Sequence, residues 1–256
     1  MFNPLKVPSH APDSLTQMRF EDNNIKTLGN REFSQYRRLD YLDLSNNQIE
    51  TIHENAFFGL KNLKQLLLYE NRITSLAPAT FKGLTNLEIL MLNSNQLRCV
   101  QRDLVEDLRK LRVLSLYDNR LTTLPKGLFG NNQETLSLIH LGGNNWNCDC
   151  RMKWLVEFFN DRNRELQKMV EGSRAQCAGP PKRKDELLSR FAIFLYFTSQ
   201  PQGRAVKCHL TSYGIFFTLT LSEGIRECLL CWVISRKYFT INKFYNDTNV
   251  NVRSLA

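Results

Sequence analysis

The stretch Leu39-Asp40-Tyr41-Leu42-Asp43-Leu44-Ser45-Asn46-Asn47-Gln48-Ile49 decides the fold. Its apolar residues and its second asparagine return 24 residues later as Leu63, Leu66, Leu68, Asn71 and Ile73. Frames of the form L-x-x-L-x-L-x-x-N-x-L start at Leu15, Leu39, Leu63, Leu87 and Leu111, and a sixth starts at Leu136, one residue late. The matching asparagines are Asn23, Asn47, Asn71, Asn95, Asn119 and Asn144.

Within each frame the apolar residues alternate, as in Leu66 and Leu68 or Leu90 and Leu92, which is the period of a short strand with one face on a core. The asparagine suits the turn that follows, because its amide can satisfy backbone groups that a curved chain leaves unpaired. Phe33, Phe57, Phe81 and Phe129, with Val105 standing in once, predict a second apolar column on the convex side. An amphipathic helical array would need a 3.6-residue period instead. The reading is an α/β leucine-rich-repeat solenoid with a curved parallel sheet on its concave face and an irregular or short-helical convex side.

Six repeats occupy residues 15–147, preceded by a remnant cap over 1–14. A cysteine-rich cap follows over 148–190, reaching 208 if Cys208 belongs to it, and residues 191–256 form a tail without the repeat frame. The net charge of +9 is uneven: residues 1–147 carry 17 Lys+Arg against 15 Asp+Glu, so the excess sits towards the carboxyl end. That weakly favours anionic partners, with ordinary solubilising charge as the competing reading.

A solenoid end exposes an apolar cross-section and needs covering. After Asn145-Trp146-Asn147-Cys148-Asp149-Cys150, the residues Trp154, Leu155, Phe158 and Phe159 fall at helical spacing, so one face of a short helix can close that end. Cysteines on loops around such a helix suggest disulfides and an oxidising compartment. A zinc site fits poorly, since the first pair is C-x-C.

Cys148-Asp149-Cys150 with Trp154-Leu155, Leu97-Arg98-Cys99-Val100, Leu67-Leu68-Tyr69-Glu70-Asn71 and Leu114-Ser115-Leu116-Tyr117-Asp118-Asn119 together resemble the Slit family of secreted guidance ligands, in its second leucine-rich-repeat domain. The resemblance covers residues 5 to about 190. It implies pairing of Cys148 with Cys177 and of Cys150 with a fourth cysteine, for which Cys208 is the candidate. It also implies a concave face that binds the first immunoglobulin domain of a Roundabout-type receptor, with Arg19, Tyr69, Tyr117, His140 and Lys153 carried over. Heparan sulfate is the second implied partner, with Arg151, Lys153, Arg162, Arg164, Lys168, Arg174, Lys182, Arg183 and Lys184 as candidates.

The outward strand positions give the same face independently. They form three columns: Gln17, Tyr41, Gln65, Ile89, Val113, Leu138; then Arg19, Asp43, Leu67, Met91, Ser115, His140; then Glu21, Ser45, Tyr69, Asn93, Tyr117, Gly142. A contiguous apolar surface edged by Arg19, Glu21, Asp43 and His140 is the anatomy of a protein-binding site, and Leu67 and Met91 join the candidates from this geometry. The alternative is a generic adhesion or matrix scaffold with another partner.

Departures from the family pattern shape further expectations. No cysteine precedes Cys99 and Met1–Ser14 lacks the apolar core of a signal peptide, so the chain reads as an internal or truncated piece of a secreted, extracellular protein. Leu15, Met18 and Phe20 are then expected to be partly exposed at an open end. Cys99 is expected to lie buried in its repeat. The tail reads first as sequence not selected to fold, second as a cap extension through Cys150–Cys208, and last as a metal or redox site at Cys228 and Cys231. No G-x-S-x-G, H-E-x-x-H or phosphate-cradling loop occurs, so neither catalysis, a cofactor nor a metal is expected.

Overall fold

One short strand per frame builds the sheet. The computed structural model describes residues 12, 14–129, 135–149, 152, 154, 155, 158, 175–179, 181, 184 and 185. Among the described residues ten strands run in chain order: β1 (Gln17–Arg19), β2 (Thr27–Leu28), β3 (Tyr41–Asp43), β4 (Thr51–Ile52), β5 (Gln65–Leu67), β6 (Ile89–Met91), β7 (Val113–Ser115), β8 (Leu138–His140), β9 (Trp146–Asn147) and β10 (Cys177–Gly179). β1, β3, β5, β6, β7 and β8 form one six-stranded parallel sheet in sequence order. β2 pairs with β4, and β9 with β10, both in parallel.

Strand register keeps the frames aligned: Met18 faces Leu42, which faces Leu66, then Leu90, Leu114 and Ile139. These residues, and Leu44, Leu68, Leu92, Leu116 and Leu141 two positions on, are buried. Each buried leucine contributes about 1.5–3 kcal/mol relative to exposure, so repetition rather than any single contact carries the fold.

The asparagines do more than close their own turns. Asn71 Nδ2 donates to Leu68 O and Tyr69 O of its own repeat and to Leu44 O of the preceding one, while its Oδ1 accepts from Ile49 N at 2.9 Å. Asn95, Asn119 and Asn144 repeat the pattern on Ile73, Leu97 and Leu121. The residue before each asparagine is left-handed: Asp22, Asn46, Glu70, Ser94, Asp118 and Gly143 have φ between 52° and 65°. Gly143 sits there because a Cβ would meet the backbone of Asp118 at 3.0 Å.

On the convex side Phe33, Phe57 and Phe81 stack at 6.2 and 6.0 Å between ring centroids. Val105 is fully buried in the next place. Phe129 then packs against Trp154 at 5.9 Å and Phe158 at 5.2 Å. Trp154, Leu155 and Phe158 are helical, as their spacing predicts, and Trp154 Nε1 donates to Leu124 O at 3.3 Å. Phe159 lies outside the described residues.

Cys148 and Cys177 form a disulfide with Cα atoms 5.6 Å apart, the pairing that the cap resemblance implies. Cys99 is buried as a thiol. Cys150, Cys208, Cys228, Cys231 and the whole of 191–256 lie outside the described residues. At the other end one expectation is corrected. Leu15 and Phe20 are half-buried, but Met18 is 6 % exposed. Its central position in β1 points it into the core beside Leu42, where strand pairing seats the flexible thioether. Among the described residues no helix is long and apolar enough to cross a membrane.

Candidate protein-binding face

The concave sheet presents the three columns in register. Gln17, Tyr41, Gln65, Ile89, Val113 and Leu138 face one another across successive strands, as do Arg19, Asp43, Leu67, Met91, Ser115 and His140. The third column continues past the strands, where Glu70 N bonds to Asn93 O and Ser94 N to Tyr117 O. Leu67, Ile89, Met91, Val113 and Leu138 are all half-buried, flanked by the half-buried Tyr69 and Tyr117. The result is a continuous apolar floor with phenolic groups along one side. Parallel strands lie about 4.8 Å apart, which puts Tyr69 and Tyr117 roughly 10 Å from each other.

The amino-terminal end of the face is a polar network. The Arg19 guanidinium lies 4.7 Å from the centre of the Tyr41 ring. Tyr41 donates to Asp43 Oδ2 at 2.9 Å, and Ser45 donates to Asp43 Oδ1 through both its backbone N–H and its hydroxyl. Burial, then this hydrogen bond and the Asp43 charge, push the Tyr41 phenol above its ordinary 10.0, while Arg19 opposes the shift.

Arg19 is exposed and Glu21 and His140 are half-buried at the margins, as the columns predict. Asp43 differs from the expected charged rim. It is 5 % exposed, because its carboxylate turns back to accept from Tyr41 and Ser45. Tyr41, outside the sequence candidates, stands half-buried at this margin instead; the signal was its position beside Gln17 and diagonal to Arg19. Asn93, between the two tyrosines in the third column, has a buried Oδ1 that accepts no hydrogen bond. Lys153 lies outside the described residues. So do Arg151, Arg162, Arg164, Lys168, Arg174, Lys182 and Arg183 of the basic cap set; Lys184 is exposed.

A second concavity on the convex side is lined by Phe81, Lys82, Asp103 and Asp107 among others. There the Asp107 carboxylate already accepts from Gly83 N at 3.0 Å, so the group serves the turn. The concave sheet is the stronger candidate, and its chemistry is that of recognition: an apolar floor, two phenols and a cation.

Residues 13–73 and 62–121 match the leucine rich repeat family. The chain is 37 % identical over 57 residues to Toll-like receptor 4 of the horse, Equus caballus, an alignment covering 22 % of this chain and 7 % of the receptor. Among solved structures, the TLR13–ssRNA13 complex is similar with a TM-score of 0.51 and 32 % identity, over 57 % of this chain and 21 % of that one. The chain therefore spans a small part of the length of these relatives. Residues 13–121 carry the leucine-rich-repeat pattern, and the described chain is a parallel-sheet solenoid of that fold.

Proposed function

We propose that this chain is an extracellular protein-binding module of a Slit-like guidance ligand, and that its concave face takes the first immunoglobulin domain of a Roundabout-type receptor. The observation that carries the reading is the in-register apolar floor of Leu67, Ile89, Met91 and Val113 between Tyr69 and Tyr117. Half-exposed aromatic and aliphatic side chains on a rigid sheet are binding hot spots, since they lose little conformational freedom when covered. The Cys148–Cys177 disulfide agrees with an oxidising compartment. Heparan sulfate at the basic cap set is the second proposed partner.

The likeness to Toll-like receptors favours a second reading, a segment of a receptor ectodomain that recognises another ligand through the same face. Binding of the full chain to an immobilised Roundabout first immunoglobulin domain separates the two. Saturable binding that Tyr69→Ala and Tyr117→Ala each weaken by about tenfold, or 1.4 kcal/mol, supports the ligand reading. A folded chain that does not bind overturns it and leaves the receptor reading.

A further inference from the structure

A groove opens on the convex side at the step where the phenylalanine column loses a ring. Phe33, Phe57 and Phe81 stack at successive steps, but the next occupant is the smaller Val105. Between the two turns of that step, over residues 78–82 and 103–107, lies a groove of about 350 Å³. That volume falls within the range of small-ligand pockets. Ala79, Phe81 and Leu104 supply its apolar wall.

The rim is acidic, in a chain whose net charge is +9. Asp103, Glu106 and Asp107 line it against one cation, Lys82. Arg102, next in sequence to Asp103, turns towards the following repeat, its Nε 3.2 Å from where a Cβ of Gly127 would stand. Gly83 N pins Asp107 by donating to its Oδ2 at 3.0 Å, while Asp103 and Glu106 are exposed. These carboxylates do not converge as metal ligands would. Among the described residues no three His, Cys, Asp or Glu side chains are grouped to hold a metal ion. Acids spread around an apolar wall suit a larger cation, one with carbon to bury as well as charge to neutralise.

We propose that this groove binds an organic monocation, an ammonium or guanidinium group on a short apolar stem. The stem lies along Ala79, Phe81 and Leu104, and the head meets the carboxylates of Asp103 and Glu106. Charge-assisted hydrogen bonds there are stronger than neutral ones. A neutral or anionic ligand of the same size would cover the carboxylates without supplying a counter-charge. Thr80 adds a second demand on the same wall. It stands between Ala79 and Phe81, one repeat before Leu104, and its buried hydroxyl oxygen makes no hydrogen bond. A ligand N–H reaching between these residues would give it one. The groove lies on the face opposite the concave sheet, so it is independent of the receptor reading.

Saturation-transfer NMR on the full chain tests the site with phenethylamine, the neutral phenethyl alcohol and the anion phenylacetate. The expected result is saturable binding of the amine, tighter than that of the alcohol by about tenfold, and weakened about tenfold by Asp103→Asn/Glu106→Gln. Tyr69→Ala/Tyr117→Ala on the concave face and Glu50→Gln/Glu70→Gln on the asparagine edge stay within about twofold. A one-arginine tripeptide amide, run as a competitor, separates two sources of the cation. Tighter binding of the peptide assigns the site to a side chain of a partner protein, and tighter binding of the amine to a free metabolite; either supports it. Thermal unfolding confirms that each variant is folded, and the comparison of amine with alcohol on the wild-type chain needs no variant. The proposal is overturned if the amine does not bind, or if the alcohol or phenylacetate binds as tightly. It is overturned equally if the folded Asp103→Asn/Glu106→Gln chain keeps its affinity, or if either control loses as much.

Discussion

The side-chain amide of Asn71 lies 3.0 Å from the carbonyl oxygen of Leu44, a residue 27 positions earlier in the chain. The same side chain accepts from Ile49 N, so one residue satisfies buried groups in two repeats. Asn23 bonds only to Phe20 O and Glu21 O in its own turn, and is exposed. Asn71→Ala therefore strands at least two buried backbone groups at about 1–3 kcal/mol each, while Asn23→Ala costs under about 1 kcal/mol. Urea unfolding of the two variants decides the matter, and equal losses would sink the idea.

Tyr41 gives a pH dependence with a definite sign. Its pKa is raised by burial and by Asp43, so the fold favours the protonated phenol. The stability this supplies is complete below pH 10.0, the unfolded value, and is lost as pH rises through the higher folded value. Tyr41→Phe should remove that alkaline component and cost about 1–2 kcal/mol at neutral pH, because the buried Asp43 carboxylate loses a donor. Phenolate absorbance against pH, paired with unfolding midpoints, checks it. An alkaline limb unchanged in the variant contradicts the assignment.

Asn93 is a site where a substitution should raise stability. Its Oδ1 is buried and takes no hydrogen bond, a defect of about 1–3 kcal/mol in an otherwise satisfied sheet. Asn93→Leu, similar in shape, should raise stability by about 1 kcal/mol. A fall in the melting temperature instead would mean that the amide does structural work.

Reduction should loosen the carboxyl-terminal end first. The Cys148–Cys177 bridge spans 29 residues and closes a loop whose constraint is worth about 3–4 kcal/mol. Cys148→Ser/Cys177→Ser should lower the unfolding midpoint and change the fluorescence of Trp146 and Trp154, both buried near the bridge. Unchanged melting with and without reductant would refute this.

What was legible in the sequence is what repeats. Leu42, Leu66, Leu90 and Leu114 share a chemical demand at a fixed interval, so the strand, its inward face and the register follow from spacing, and the phenylalanine column follows likewise. The left-handed backbone before each asparagine was legible only in part: Asp22, Asn46, Asp118 and Gly143 are types that favour it, whereas Glu70 and Ser94 are not. At Glu70 and Ser94 the place in the repeat, rather than the residue's own preference, sets the conformation. Asp43 misled for a related reason. Alternation places it outward, but a carboxylate two residues from both a tyrosine and a serine can fold back onto its own strand.

The asparagine ladder also has a direction. Every rung reaches back towards the amino terminus: Asn47 serves Phe20 and Ile25, and Asn144 serves Leu116 and Leu121. The asparagine bonds between repeats thus run one way, while main-chain bonds run both ways, Lys64 N to Asp40 O and Asn46 N to Tyr69 O among them. Peeling a turn from the front frees a side-chain amide and main-chain N–H groups of the next, and peeling one from the back uncovers the main-chain groups its asparagine had sealed. β10 accordingly lies where a further turn would be, with Cys177 paired to Trp146 and Cys148 N bonded to Gly179 O at 2.7 Å. The asparagine ladder points one way along the solenoid, and the disulfide fastens its trailing end.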